Sequence, residues 1–180
     1  MIALRIIFCV IMILILFALS RVKDNFASVE ETKKPNEVVL EGDKNKKALI
    51  IYQQSADEST YLATMILADK LNDEKYTVVI NYPSKKIDYN IDDFDVVALG
   101  SPVYAGKVSK ALLSYIEKTD FSNKNVLVFF TGKKEDKSES FNLIKDKIKG
   151  SNKIIEVPIN SKDDNNEQVI LSYVDQLLWE

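Results

Sequence analysis

The 180-residue sequence contains no histidine and one cysteine, and these two shortages restrict its chemistry more than any residue it carries. Without histidine the chain lacks the commonest general base and the commonest metal ligand. Cys9 lies in an apolar N-terminal run, so the chain can form no intrachain disulfide, thiolate metal cluster or cysteine–histidine pair. No metal partner is expected. Any redox chemistry has to come from a bound cofactor. A concentrated basic surface is missing as well, since 24 Lys and Arg stand against 27 Asp and Glu for a net charge of -3. Phosphate-backbone recognition needs clustered positive charge, so no nucleic-acid partner is expected either. The dispersed charges read as solvated helix faces.

What is present divides the chain in three. Ile6–Leu19 is unbroken apolar sequence, and Ile2, Ala3 and Leu4 extend it past Arg5. A spanning helix takes roughly 17–25 residues, and a secretory apolar region ~7–15 behind a positive start such as Met1–Arg5. Ala18-Leu19-Ser20 resembles a small-x-small cleavage site, and no cysteine follows for lipid attachment. Residues 1–20 are therefore a signal peptide or a transmembrane anchor, with membrane contact through residues 2–19. The domain behind them is expected outside the cytoplasm, anchored, or secreted if cleaved after Ser20. Residues 21–47 are polar and lack periodicity, which reads as a linker with Val38-Val39-Leu40 its one ordered contact.

From residue 48 to 180 short apolar runs alternate with helical spacing. Ala48–Tyr52, Thr77–Ile80, Val96–Leu99, Val126–Phe130 and Ile154–Val157 read as strands. Helices are marked by Tyr61–Leu71, by Val108, Leu112 and Ile116, by Phe141, Ile144 and Ile148, and by Ile170, Tyr173, Val174 and Leu177. Strands without in/out alternation are buried on both faces, so helices must cover both sides of the sheet. The expected fold is α/β, a doubly wound five-stranded parallel sheet preceded by an N-terminal apolar helix. Such sheets bind ligands beyond the carboxyl ends of their strands, here the loops 53–60, 100–106 and 131–136.

The second of these loops reads "GSPVYAG" from Gly100 to Gly106, and with it the chain resembles the flavodoxins. Gly100 is expected to let the backbone leave the strand towards a ligand, Pro102 to stiffen the turn and Gly106 to free the entry to the next helix. Tyr104 offers a flat surface for stacking on a planar heterocycle. The resemblance implies strand order 2-1-3-4-5 and a bound flavin mononucleotide (FMN). By the same resemblance Ser55, Ser59 and Thr60 take the phosphate, and Ser101, Pro102, Val103, Tyr104, Ala105, Gly106, Thr131 and Gly132 meet the ring. The third loop lacks a second aromatic; Lys133 or Lys134 is placed to stabilise a reduced anionic flavin, or to pair with Glu135 and Asp136.

The first loop, "QQSADEST", departs from the family's T-x-T-G-N-T character. Asp57 and Glu58 stand where glycine and asparagine belong, Ser59 at the closing threonine and Ala56 at a hydroxyl position. At ~5 Å and an effective dielectric near 20, each carboxylate–phosphate pair costs on the order of 3 kcal/mol before screening. Asp57 or Ser59 can also cap the following helix with the N–H groups that a phosphate needs. The resemblance implies a membrane-anchored or exported FMN-binding electron-transfer protein. The acids in the loop favour a cofactor-free binding or scaffold module. "GSPVYAGK" is also similar to the menaquinone-dependent protoporphyrinogen dehydrogenases, which implies a flavin-dependent quinone or porphyrinogen oxidoreductase. The partner is then a redox protein or a quinone.

Overall fold

The computed structural model describes residues 2–30, 33–132, 137–160 and 165–179. In chain order these form α1 (Ile2–Glu30), β1 (Val38–Leu40), β2 (Asp43–Tyr52), α2 (Ser59–Asp73), β3 (Tyr76–Asn81), β4 (Val96–Val103), α3 (Lys110–Lys118), β5 (Asn125–Gly132), α4 (Lys137–Lys145), β6 (Lys153–Asn160) and α5 (Asn166–Trp179). The sheet runs β1-β3-β2-β4-β5-β6. Its last five strands are mutually parallel, and counted by themselves they have the order 2-1-3-4-5. The doubly wound α/β architecture is therefore as the sequence implies, with one strand more.

That strand is β1, which pairs antiparallel with β3 through Val38↔Ile80, Val39↔Val79 and Leu40↔Val78. It satisfies backbone groups of β3 that no other strand meets. Among the described residues of 21–47, α1 continues to Glu30, β1 pairs with β3, and β2 begins at Asp43 rather than Ala48. The early part of β2 carries Asp43-Lys44-Asn45-Lys46, all exposed, so its strand character has no apolar signature.

From Ala48 the strand enters the core, and its side chains divide between two layers. Ala48, Ile50 and Tyr52 pack with Ala63, Leu67 and Leu71 of α2 and Ile170, Val174 and Leu177 of α5. Leu49 and Ile51 pack on the other face with Leu112, Tyr115 and Ile116 of α3 and Ile144 of α4. Each fully buried Leu or Ile contributes roughly 1.5–3 kcal/mol. The connection from β3 to β4 has no α-helix, only a short turn of 3-10 helix at Ile91–Asp93. Beneath it lies a groove of about 520 Å³ lined by Asp88, Tyr89, Tyr115, Lys118 and Asp120 among others.

Two glycines of the β4–β5 pair are set by close approach. Gly100 does not leave the strand, because β4 continues to Val103; it lies opposite Phe129, whose Cζ would be 2.2 Å from an added Cβ. Its absent side chain makes room for that ring, which corrects the ligand-approach role expected from the sequence. Gly132, with φ +132°, would place a Cβ 2.5 Å from the Val103 carbonyl oxygen, a backbone atom that cannot turn aside. Gly132→Ala should therefore destabilise the domain by about 1–3 kcal/mol. A urea midpoint equal to that of the unmodified protein would show that the β4–β5 edge relaxes freely.

Candidate functional site

The carboxyl edge of the sheet gathers the first loop, the end of β4 and the end of β5. Gln53 is buried, and its N–H donates to the Gly100 carbonyl at 2.9 Å, carrying the β2–β4 ladder one residue past the strand. The chain then turns into α2 through Glu58, which is left-handed at φ 61°. Glycine and asparagine occupy this conformation readily and glutamate does not.

The hydroxyls and amides at this turn are bonded to one another. Thr60 N–H donates to the buried Ser55 Oγ at 3.1 Å, and Ser55 Oγ lies 3.2 Å from Ser59 Oγ. Ser59 donates twice to Asp57 Oδ1, from its hydroxyl at 2.7 Å and its N–H at 3.2 Å. Thr60 Oγ1 and Thr131 Oγ1 are 2.6 Å apart in a buried pair that joins α2 to the end of β5. Burial pushes the Asp57 carboxyl up, but the Ser59 and Ser55 hydroxyls and the neighbouring amides outweigh it and hold Asp57 below its ordinary value. The first loop therefore already holds an anion, and the anion is its own side chain.

Beyond β4 the chain makes a tight reversal. Tyr104 N–H donates to the Lys107 carbonyl at 3.3 Å and Lys107 N–H to the Tyr104 carbonyl at 3.0 Å. Ala105 at φ 49° and Gly106 at φ 72° give both central residues positive φ, the pattern of a type I′ turn. Tyr104 is half-buried and Ala105 exposed. Ser140 of α4 donates to the Gly106 carbonyl at 3.3 Å.

The other expected ring residues of this stretch lie lower. Ser101, Pro102 and Val103 are buried inside β4. Ser101 Oγ donates to the Pro102 carbonyl at 2.8 Å and accepts from Ser109 N–H at 3.0 Å, fixing the start of α3. Pro102 and Val103 lie in register with Thr131 and Gly132. The structure thus brings Ser55, Ser59, Thr60 and Thr131 together, with Tyr104–Gly106 forming the turn on the same edge of the sheet. Lys133, Lys134, Glu135 and Asp136 lie outside the described residues.

Several residues on this rim have no local sequence signal. Lys33 Nζ donates to Gln54 Oε1 at 2.8 Å and lies 5.3 Å from the Tyr82 ring centroid. Asn36 N–H donates to Asn81 Oδ1 at 2.9 Å, and Tyr89 OH donates to Glu37 at 2.6 Å. Burial first, then the Glu37 carboxylate, pushes Tyr89 up to about 12 against the opposing Asn81 donor. Lys107 Nζ lies 5.1 Å from the centroid of Phe26, so α1 reaches the type I′ turn.

A model of the flavodoxin domain family matches residues 49–157, more than half of the chain. The chain belongs to the flavodoxin domain family. Flavodoxin 2 of Bacillus cereus is similar in fold, with a TM-score of 0.60 at 17% identity over 73% of this chain and 97% of that one. The flavodoxin of Streptococcus pneumoniae gives 0.57 at 16%, over 72% and 96%. A Lactobacillus acidophilus flavoprotein crystallised in complex with FMN gives 0.51 at 18%, over 73% and 98%. An uncharacterised protein of Methanocaldococcus jannaschii is 32% identical over 85 residues, 47% of this chain and 53% of that protein. The chain thus spans about half the length of this curated relative.

Within this flavodoxin domain the two halves of an FMN site differ in fit. An aromatic at a reversed turn, Tyr104, suits a planar ring. The α2 start, with its donors bonded to Asp57 and Ser55, does not suit a phosphate as it stands.

Two outcomes follow for stability. Glu58→Gly should relieve the left-handed strain and stabilise the domain by about 0.5–1 kcal/mol, read from the urea midpoint. A loss of stability would show that the Glu58 side chain contributes more than its backbone costs. The depressed Asp57 carboxyl adds stability that is complete above its ordinary value of 3.8 and is lost as pH falls through the folded value. Asp57→Asn keeps an acceptor without that titration, so its urea midpoint should fall less on acidification. Parallel acid profiles would remove Asp57 from the acid response.

Proposed function

We propose that this flavodoxin domain is a flavin-binding electron carrier held at a membrane by α1; among its fold relatives, the Lactobacillus acidophilus flavoprotein was crystallised with FMN. The observation that carries the reading is the meeting of α1 with the type I′ turn, Phe26 against Lys107. Arg5–Asp24 is a fully exposed apolar helix, long enough by length and composition to cross a membrane. Its 20 residues span about 30 Å at 1.5 Å per residue, the thickness of a hydrocarbon core. Phe26 follows the run by two residues, about 3 Å along the helix. An electron-carrying edge beside the end of a membrane span supports a membrane-resident partner, a quinone or a redox protein. A signal sequence meets the same test of length and apolarity, and cleavage after Ser20 then yields an exported carrier.

The chain's own part is binding and orientation. Tyr104 supplies a stacking surface, its turn being held by Ser140 and by the buried register of β4 on β5. The Thr60–Thr131 pair ties the floor of the site together. A bound flavin supplies the one- and two-electron chemistry, which no side chain here provides. A second reading, a binding module without cofactor, is favoured by the donors that Asp57 already occupies.

Purified full-length chain in a neutral detergent, titrated with FMN and riboflavin, separates the two. Flavin fluorescence quenching with a thermal shift supports the carrier; no quenching and no shift with either flavin supports the module. Where flavin binds, Tyr104→Ala should weaken it about two- to tenfold, as expected for one aromatic contact of about 0.5–1.5 kcal/mol. Unchanged affinity would take Tyr104 out of the site.

A further inference from the structure

We infer that Asp57 is a built-in substitute for a ligand phosphate, so that the site selects a neutral, phosphate-free flavin of the riboflavin class over FMN. The inference rests on the flavin reading above and names which flavin that site accepts. The groups at the start of α2 that would receive a phosphate are the amides of Ser59 and Thr60 and the hydroxyls of Ser55, Ser59 and Thr60. Each is already bonded: Ser59 through both its groups to Asp57 Oδ1, Thr60 N–H to Ser55 Oγ, and the Thr60 hydroxyl to Thr131. The positive end of the helix is answered by a carboxylate on the same loop. Among the described residues, the cation bonded to this loop is Lys33, which holds Gln54 and lies over the Tyr82 ring.

A phosphate dianion entering here must displace Asp57 and then remain near it and Glu58, both exposed at the turn. Per unit charge that repulsion is on the order of a hundredfold in affinity at ~5 Å before screening. A ribityl hydroxyl displaces nothing. Both Ser59 bonds go to Asp57 Oδ1, and an exposed carboxylate, with about four lone-pair sites, has room for a further neutral donor. The same carboxylate that repels a phosphate can therefore hold an alcohol.

The test is a paired titration of the full-length chain in neutral detergent with riboflavin and with FMN, read by flavin fluorescence. Riboflavin should bind about tenfold tighter or more, the residue of the Coulomb penalty after solvent screening. Higher ionic strength should strengthen FMN binding and leave riboflavin unchanged. Asp57→Asn keeps an acceptor at the turn without the charge, and should improve FMN about tenfold relative to riboflavin. Asp57→Ser, which also caps helices well, guards against a folding defect in the first variant. FMN binding as tight as riboflavin, or a variant that moves both flavins equally, overturns the inference and leaves the flavin site standing. Binding of neither flavin removes both.

Discussion

A central strand with no polar face has to be covered on both sides, and the rest of this domain is arranged around that requirement. Ala48–Tyr52 alternates between two apolar layers, each closed by a pair of helices. Parallel neighbours follow, because each strand must return to the same end of the sheet after its covering crossover. The loops that leave the carboxyl ends therefore collect on one edge. Position along that edge comes from the core; chemistry comes from the few residues that the core leaves over.

Among those residues, the start of α2 is the most constrained. Four features converge there: a helix dipole, amides without an intrahelical partner, hydroxyl side chains and a left-handed residue. Nature's usual answer is an anion, and an anion can come from solution or from the chain. Here Asp57 supplies it, at 2.7 Å from the Ser59 hydroxyl. The same geometry that makes a phosphate cradle thus makes a helix cap when a carboxylate is built into the loop. Fold membership and ligand choice separate at this point, since the domain keeps its architecture while the loop changes its occupant.

The parallel sheet was legible because its strands are solid apolar runs, and the helices because their apolar residues recur with helical spacing. β1 was legible only as an ordered contact, since three residues carry no periodicity, and the first half of β2 was hidden by Asp43–Lys47. In the site, the hydroxyls of Ser55, Ser59 and Thr60 and the capping capacity of Asp57 are local properties and could be read directly. Gly100 was misread because its reason is the Phe129 ring on the adjoining strand, a contact that no local pattern encodes. Lys33, Gln54 and Tyr82 meet only through the path that the chain takes after α1, which polar sequence does not announce.

The short antiparallel strand at the sheet's margin has a consequence for crowding. Exposed strand edges pair with one another when copies of a chain meet at high local concentration. A bare β3 would offer each neighbour six residues of unpaired backbone. β1 covers that margin with three residues, and at the far margin β6 carries Pro158, which has no N–H to donate. Both margins of the sheet thus offer a neighbouring copy less continuous backbone than the bare strands would.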